Sequence, residues 1–389
     1  MLKIKNGKLV LKEIEKKNIY IENRRIVAIT DQELPCEQEL DAKGNYVSAG
    51  FIDVHVHGGG DSDFSDGGTE AFFIGAKTHL SHGTTTLCPT IAALPHEALK
   101  KTICDYKKAV SEKREDMPNF AGLHLEGPYL CPEQAGGQPP QNIYPATPDK
   151  YNALIELAEG HIKKWTFAPE LEGALDFCKA LKKNNIIASI GHTNATYDEI
   201  KLACSLGASC LTHLYSSMST IVRKNSYRIL GAVEAGYMLD DLSVEVIADG
   251  IHLPPELLSM IVRFCNSDKI ILITDAMRGA DMPEGPSVLG KKDEGHPCII
   301  EDGIAKTLDR TSFAGSVATA DRLIRTMVKK VGVSLPLAVK MMTENPARHL
   351  SIKDAGALKE GYRSDVVIFD DDIKVKTVIV GDKIIKNEL

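Results

Sequence analysis

No two of the nine cysteines form a CxxC pair. They are scattered and odd in number, so they read as reduced core residues of a cytoplasmic protein rather than a disulfide frame. No apolar run approaches the roughly 20 residues that a membrane span needs. The stretch MLKIKNGKLVLKEIEKKN carries no apolar h-region, so no signal peptide is expected. There is no basic stripe and no Arg-rich tail, and the formal net charge is −7, which argues against nucleic acid as a partner. Low-complexity segments are absent. So is a GxGxxG after the first strand of the middle region, which weakens a doubly wound nucleotide-binding fold.

The chain does have the material for a large core: 389 residues, 43% of them hydrophobic. One barrel-sized domain plus a smaller one is the natural division. Both ends alternate apolar and polar residues between charged turns, as in LKIKNGKLVL, NIYIENRRIVAIT and SDVVIFDDDIKVKTVIVGDKIIKN. This is the pattern of hairpins, and it predicts a small β-sandwich domain assembled from residues 1–49 and 356–389. The middle, residues 50–355, alternates strand and helix. Eight strands are expected: FIDVHV, TTTLCP, FAGLHLE, KWTFAP, IIASIG, SCLTHL, LSVEVIAD and KIILITD. Helical patterns such as TEAFFIGAKTHLSH, PHEALKKTICDYKKAVSEK, LEGALDFCKALKKNN and TYDEIKLACSLG lie between them. The fold class is therefore α/β, a (β/α)8 TIM-like barrel. The runs CPEQAGGQPPQN and SSMSTIVRKNSYRILG are expected as long loops on the active-site side.

Polar residues close several of these strands: His55 and His57, Glu126, His192, His213 and Asp275. In a parallel barrel such strand ends point into one mouth. Four imidazoles and two carboxylates converging there describe a divalent metal site built for hydrolysis. His55 and His57 are two apart, so on a strand they face the same way. The preceding Asp53 and the following glycines make a poor setting for an ordinary buried pair. Asp275 is placed either to cap the following segment or to move a proton between water and a leaving amine. His252, in ADGIHLPP, is a loop histidine or a group that polarises a carbonyl or binds a hydroxyl. His79, His82, His96 and His161 are read as helical or helix-flanking, and His296 and His349 as loop residues. His124 shares a face with Glu126 and is expected to support the site.

The segments FIDVHVHGGGDSDFSD, HLEGPYL, GHTNAT, THLYSSM, IADGIHLPP, ITDAM and AGS resemble the amidohydrolase superfamily. Within it they are most similar to N-acetylglucosamine-6-phosphate deacetylases, over nearly the whole chain. The resemblance implies hydrolysis of the acetamide of a phosphorylated amino sugar in a cytoplasmic homodimer. It implies a main metal on Glu126, His192 and His213, and a second on His55 and His57 with Asp275. Zinc is the expected ion, with iron, manganese or cobalt as alternatives. Asp275 would be base and then acid, and His252 would contact the sugar or the reacting carbonyl. Many such barrels bridge two metals with a carbamylated lysine at the end of strand 4. Here that end reads FAPE, Lys163 and Lys164 lie at the other end, and Glu126 is the better bridge. Three positions depart from the family pattern. Ser216-Ser217 replaces an Asn-Ala pair that helps to hold phosphate. Gly136-Gly137-Gln138 replaces Gly-Ala-His, whose histidine helps to bind substrate. The phosphate-binding arginine that a partner subunit supplies is best matched by Arg228, with Arg223 or Lys224 as alternatives. These changes keep open a different N-acyl amino sugar, galacto or unphosphorylated, or a cyclic amide of the dihydroorotase and hydantoinase type.

Overall fold

A computed structural model describes residues 1–112 and 114–389. Eight short runs form the parallel strands of one barrel: β1 (Phe51–Val56), β2 (Thr84–Ile91), β3 (Leu123–Glu126), β4 (Ile162–Phe167), β5 (Ile187–Ile190), β6 (Ala208–Leu211), β7 (Ser243–Ile247) and β8 (Ile270–Ile273). Each pairs in parallel with the next. The seam between β8 and β1 is closed at the mouth, where the Asp275 N–H donates to the His55 carbonyl at 2.9 Å. Just below it, the Thr274 hydroxyl donates to Asp53 at 2.5 Å. These strands are buried on both faces, which is why they read as continuous apolar runs rather than alternating ones.

Helices follow the strands and cover the barrel, among them Gly68–Ser81, His96–Ser111, Ala174–Lys183, Tyr197–Leu206 and Pro255–Phe264. Tyr197–Leu206 starts where it does because Thr196 and Glu199 form a reciprocal capping box. Trp165, Phe167, Phe177 and Tyr129 fill the layer between barrel and helices.

Both ends of the chain build the second unit. Strands Leu2–Lys5, Asn18–Glu22, Arg25–Thr30 and Gln38–Asp41 form one sheet. A second sheet joins Lys8–Val10 and Tyr46–Ala49 to Val366–Phe369, Val375–Val380 and Lys383–Asn387, the two halves meeting where Tyr46–Ala49 pairs with Val366–Phe369. Leu9, Ile19, Ile21, Val47, Val366, Ile368 and Ile379 share one core between the sheets.

Some expectations need correction. Strand 3 is shorter than FAGLHLE, because Gly122 at φ +119 breaks it into Asn119–Phe120 and Leu123–Glu126. The expected loop after β6 carries an exposed hairpin, Val222–Lys224 with Tyr227–Ile229. His296 begins a strand rather than lying in a loop. It belongs to a three-stranded antiparallel sheet, Gly285–Leu289, His296–Glu301 and Ile304–Thr307, inserted after β8. His349 ends the helix Glu344–His349. As expected, Lys163 and Lys164 lie in the first half of β4, away from the mouth; Lys164 is also fully buried, because Glu245 on β7 neutralises it.

Candidate metal centre and active site

The barrel mouth opens onto a cavity of about 380 Å³, lined by His57, Glu126, His192, His213, His252 and Asp275 among others. Glu126, at the end of β3, is the hub. Its Oε1 lies 2.9 Å from His213 Nε2 and 3.2 Å from His192 Nε2. Its Oε2 lies 3.2 Å from His57 Nε2. Asp275 Oδ1 is 3.2 Å from His55 Nε2 and 3.3 Å from His57 Nε2. Two sets of donors thus share Glu126: His55 and His57 on one side, His192 and His213 on the other.

Three of these residues leave their strands with a left-handed backbone: His192 at φ 48, His213 at φ 35 and Asp275 at φ 47. Side chains other than glycine rarely adopt it, and each instance costs about 1–3 kcal/mol. The turn swings each side chain inward over the strand ends.

The electrostatics suit a cation. Burial disfavours the imidazolium of His55, yet Asp275 and Glu126 outweigh it and hold the ring at about 9. His57 is also raised, against the same burial, by hydrogen bonds to Asp275 and Glu126. Burial pushes the carboxyl of Asp275 up, but His55 and His57 pull it down to about 2. Glu126 is held well below the carboxylate range against its burial by the surrounding imidazoles. The donor set fits a divalent ion in other ways. His192 Nδ1–H donates to the Gln134 carbonyl at 2.8 Å, which leaves Nε2 bare. The Nε2 atoms of His192 and His213 face each other at 3.1 Å. Neutral imidazoles with carboxylates are the ligands that zinc and related ions take.

His252 also lines the cavity. Its Nδ1–H donates to Asp249 at 2.8 Å, which leaves Nε2 for a ligand, and its ring lies 4.8 Å from that of Phe313. Ser216 and Ser217 line the same wall. Gln138 lines it too, but both ends of its amide are engaged. Nε2 donates to Glu126 at 2.6 Å, and Oε1 accepts from the Ala93 N–H at 2.8 Å. Arg228 is exposed on the hairpin and is not among the residues that line this chain's cavity. His124 lies behind the cluster, its ring 4.5 Å from that of His55.

The amidohydrolase family model matches residues 46–385. The chain belongs to the amidohydrolase family. The N-acetylglucosamine-6-phosphate deacetylase of Lysinibacillus sphaericus is 32% identical over 89% of this chain and 87% of its own length. The N-acetylgalactosamine-6-phosphate deacetylase of Escherichia coli O157:H7 is 31% identical over 84% of each. A mutant N-acetyl-D-glucosamine-6-phosphate deacetylase of Mycobacterium smegmatis, solved with N-acetyl-D-glucosamine-6-phosphate, superposes with a TM-score of 0.90. It is 29% identical and covers 99% of both chains. This amidohydrolase is a hydrolytic enzyme of a metal-dependent family.

Sequence reasoning missed four contributors. Asp249 orients His252, and it stood in the ADGIH motif without a role. Leu289 and Phe313 line the cavity as apolar residues, the first from a segment without a motif and the second from just before AGS. Glu245 lies inside the barrel, and its only signal was a lone acid between two valines.

Proposed function

We propose that this amidohydrolase is a deacetylase that hydrolyses the acetamide of N-acetylglucosamine 6-phosphate to glucosamine 6-phosphate and acetate. The observation that carries the reading is the sharing of Glu126 by two histidine pairs, with Asp275 beside His55 and His57 and with His252 lining the same cavity. Glu126, His192 and His213 would hold the main ion, and His55, His57 and Asp275 a second. Zinc suits this donor set best, ahead of iron, manganese or cobalt. A bound ion supplies a lowered pKa for water and polarisation of the amide carbonyl.

The chain's own residues supply the rest. Asp275 is ionised, so it begins as a base: it takes a proton from the attacking water and returns it to the sugar nitrogen as the C–N bond breaks. His252, fixed by Asp249, directs Nε2 at the carbonyl or a sugar hydroxyl. Ser216 and Ser217 offer hydroxyls at the cavity wall. Phosphate would contribute remote binding energy. Arg228, on a hairpin whose Tyr227 is 75% exposed, suits delivery into a partner's cavity in a homodimer. Nine free cysteines fit a cytoplasmic setting, and among the described residues no helix is long and apolar enough to cross a membrane.

The galacto epimer is the second reading, favoured by the 31% identity to the Escherichia coli galactosamine enzyme. An acetate-release assay on both epimers, each with and without the 6-phosphate, decides between them. Fastest turnover of the phosphorylated gluco compound is expected. A preference for an unphosphorylated sugar would overturn the substrate assignment.

A further inference from the structure

The barrel interior below the cavity holds a connected ionic chain that the reaction as described does not use. Lys164 on β4, Glu245 on β7 and His55 on β1 have fully buried side chains. Lys164 Nζ bonds Glu245 Oε1. Glu245 Oε2 lies 3.2 Å from His55 Nδ1. The other nitrogen of that ring, Nε2, faces Asp275 at 3.2 Å and Glu126 at 3.4 Å. We propose that Glu245, with Lys164 behind it, is the positioning residue that fixes the His55 ring with Nδ1 protonated and Nε2 turned to the metal centre.

This role rests on the metal centre proposed at Glu126 and follows from hydrogen-bond polarity. A carboxylate only accepts, so the Nδ1 that Glu245 faces carries a hydrogen. Nε2 faces the carboxylates of Asp275 and Glu126 and carries one too until an ion displaces it; because Glu245 keeps the hydrogen on Nδ1, the lone pair freed by that displacement is the one on Nε2. Carboxylates behind ligating histidines orient the ring and strengthen it as a ligand. Stability alone does not account for the arrangement. A buried ion pair is often no more stabilising than apolar residues of the same volume, and the rest of the barrel interior supplies such residues readily, as at Ile52, Val54, Ile247 and Ile271. Lys164 has a second consequence. It claims one carboxylate oxygen and so leaves the other for His55.

The test exploits this division. In Glu245→Gln, the amide oxygen turns to Lys164, and the NH2 group is left facing His55 Nδ1. That favours the opposite tautomer, with hydrogen on Nε2. Zinc titrated into the metal-stripped full-length chain should bind about 10- to 100-fold more weakly at the His55–His57 side. Binding at the Glu126–His192–His213 side should be unchanged. Adding Lys164→Met frees the amide oxygen to accept from Nδ1, so the double variant should recover affinity. Wild-type zinc affinity and stoichiometry in Glu245→Gln would overturn the proposal, as would a double variant no better than the single one. If Glu245→Gln fails to fold with its lysine unpaired, two charge-free pairs replace it. Lys164→Met/Glu245→Gln should bind zinc better than Lys164→Met/Glu245→Leu, and equal affinities would refute the role. His192→Ala separates the two levels: zinc lost there but unaffected in Glu245→Gln rejects this inference alone, whereas zinc retained in His192→Ala rejects the metal centre itself.

Discussion

His192 and His213 each supply one of the few ligands around Glu126, so their loss should be felt as loss of metal before anything else. His192→Ala or His213→Ala is expected to purify without the main ion and without activity, which elemental analysis and acetate release would show together. His55→Ala should be milder, losing one equivalent of metal and part of the activity. Asp275→Asn keeps the shape of the side chain but cannot carry a proton. Its turnover should fall by about 10² to 10⁴ with metal content maintained, and near-normal turnover would move the proton carrier elsewhere, with His252 the next candidate. Much of this was legible in the sequence because chemistry and geometry coincide here. A polar residue that ends an apolar strand run has few other reasons to be there. The left-handed turns at His192, His213 and Asp275 were not legible. Asp and His are enriched at positive φ, but the preference is weak and most residues of either type do not adopt it. Gln138 does line the cavity, but that its amide would bridge Glu126 and the Ala93 N–H was not legible, because both partners are set by the fold rather than by the motif.

At the level of elements, the eight barrel strands and the principal helices could be read from apolar runs and 3.6-residue periodicity. The sheet at 285–307 could not. Its first strand opens on Gly285-Pro286, its second carries Pro297, and most of the residues of both are at least partly exposed, so the segment looks like a loop. It is held by a contact that no local pattern shows. Arg278 reaches from the end of β8 to the carbonyls of Val288 and Gly290 and to Asp66, and so ties the sheet to the loop that follows β1. Leu289 on that sheet then reaches the cavity wall beside Gly137, where a Cβ would approach it to 2.6 Å. The hairpin 222–229 belongs to the same scale. Arginine grips phosphate through two parallel hydrogen bonds. Arg228→Ala should therefore raise the apparent KM for a 6-phosphorylated substrate far more than for its unphosphorylated analogue. Steady-state kinetics on the two compounds would show it. Equal effects would remove Arg228 as the phosphate clamp, and if the arm acts across the subunits of a homodimer, dilution that separates them should mimic the variant.

On the scale of the whole molecule, buried neutral histidines tie stability to pH. Burial lowers His79, under the mouth loop, to about 4, and the partly buried His349, beneath the barrel, is shifted in the same direction. At His79 the unfolded chain takes up a proton near pH 6.5, whereas the folded chain resists until about 4. Its contribution is therefore fully present above about pH 6.5 and is lost as pH falls toward 4, on the order of 3 kcal/mol. Urea unfolding at pH 7 and pH 5 should show a smaller loss in His79→Gln than in the wild type, because glutamine keeps a donor for the Gly58 carbonyl and does not titrate. Identical losses would mean that His79 is already solvated. The shared terminal sheet has a consequence of another kind, in the time order of synthesis. Strand Tyr46–Ala49 pairs with Val366–Phe369, and the side chains of Lys8 and Asp371 meet across 363 positions of sequence. A ribosome adding 5–20 residues per second leaves that first edge without its partner for roughly 15–60 seconds. The barrel can close before its neighbour does. A nascent chain therefore presents a bare β edge beside a finished barrel, the kind of edge to which another nascent copy or a chaperone attaches first.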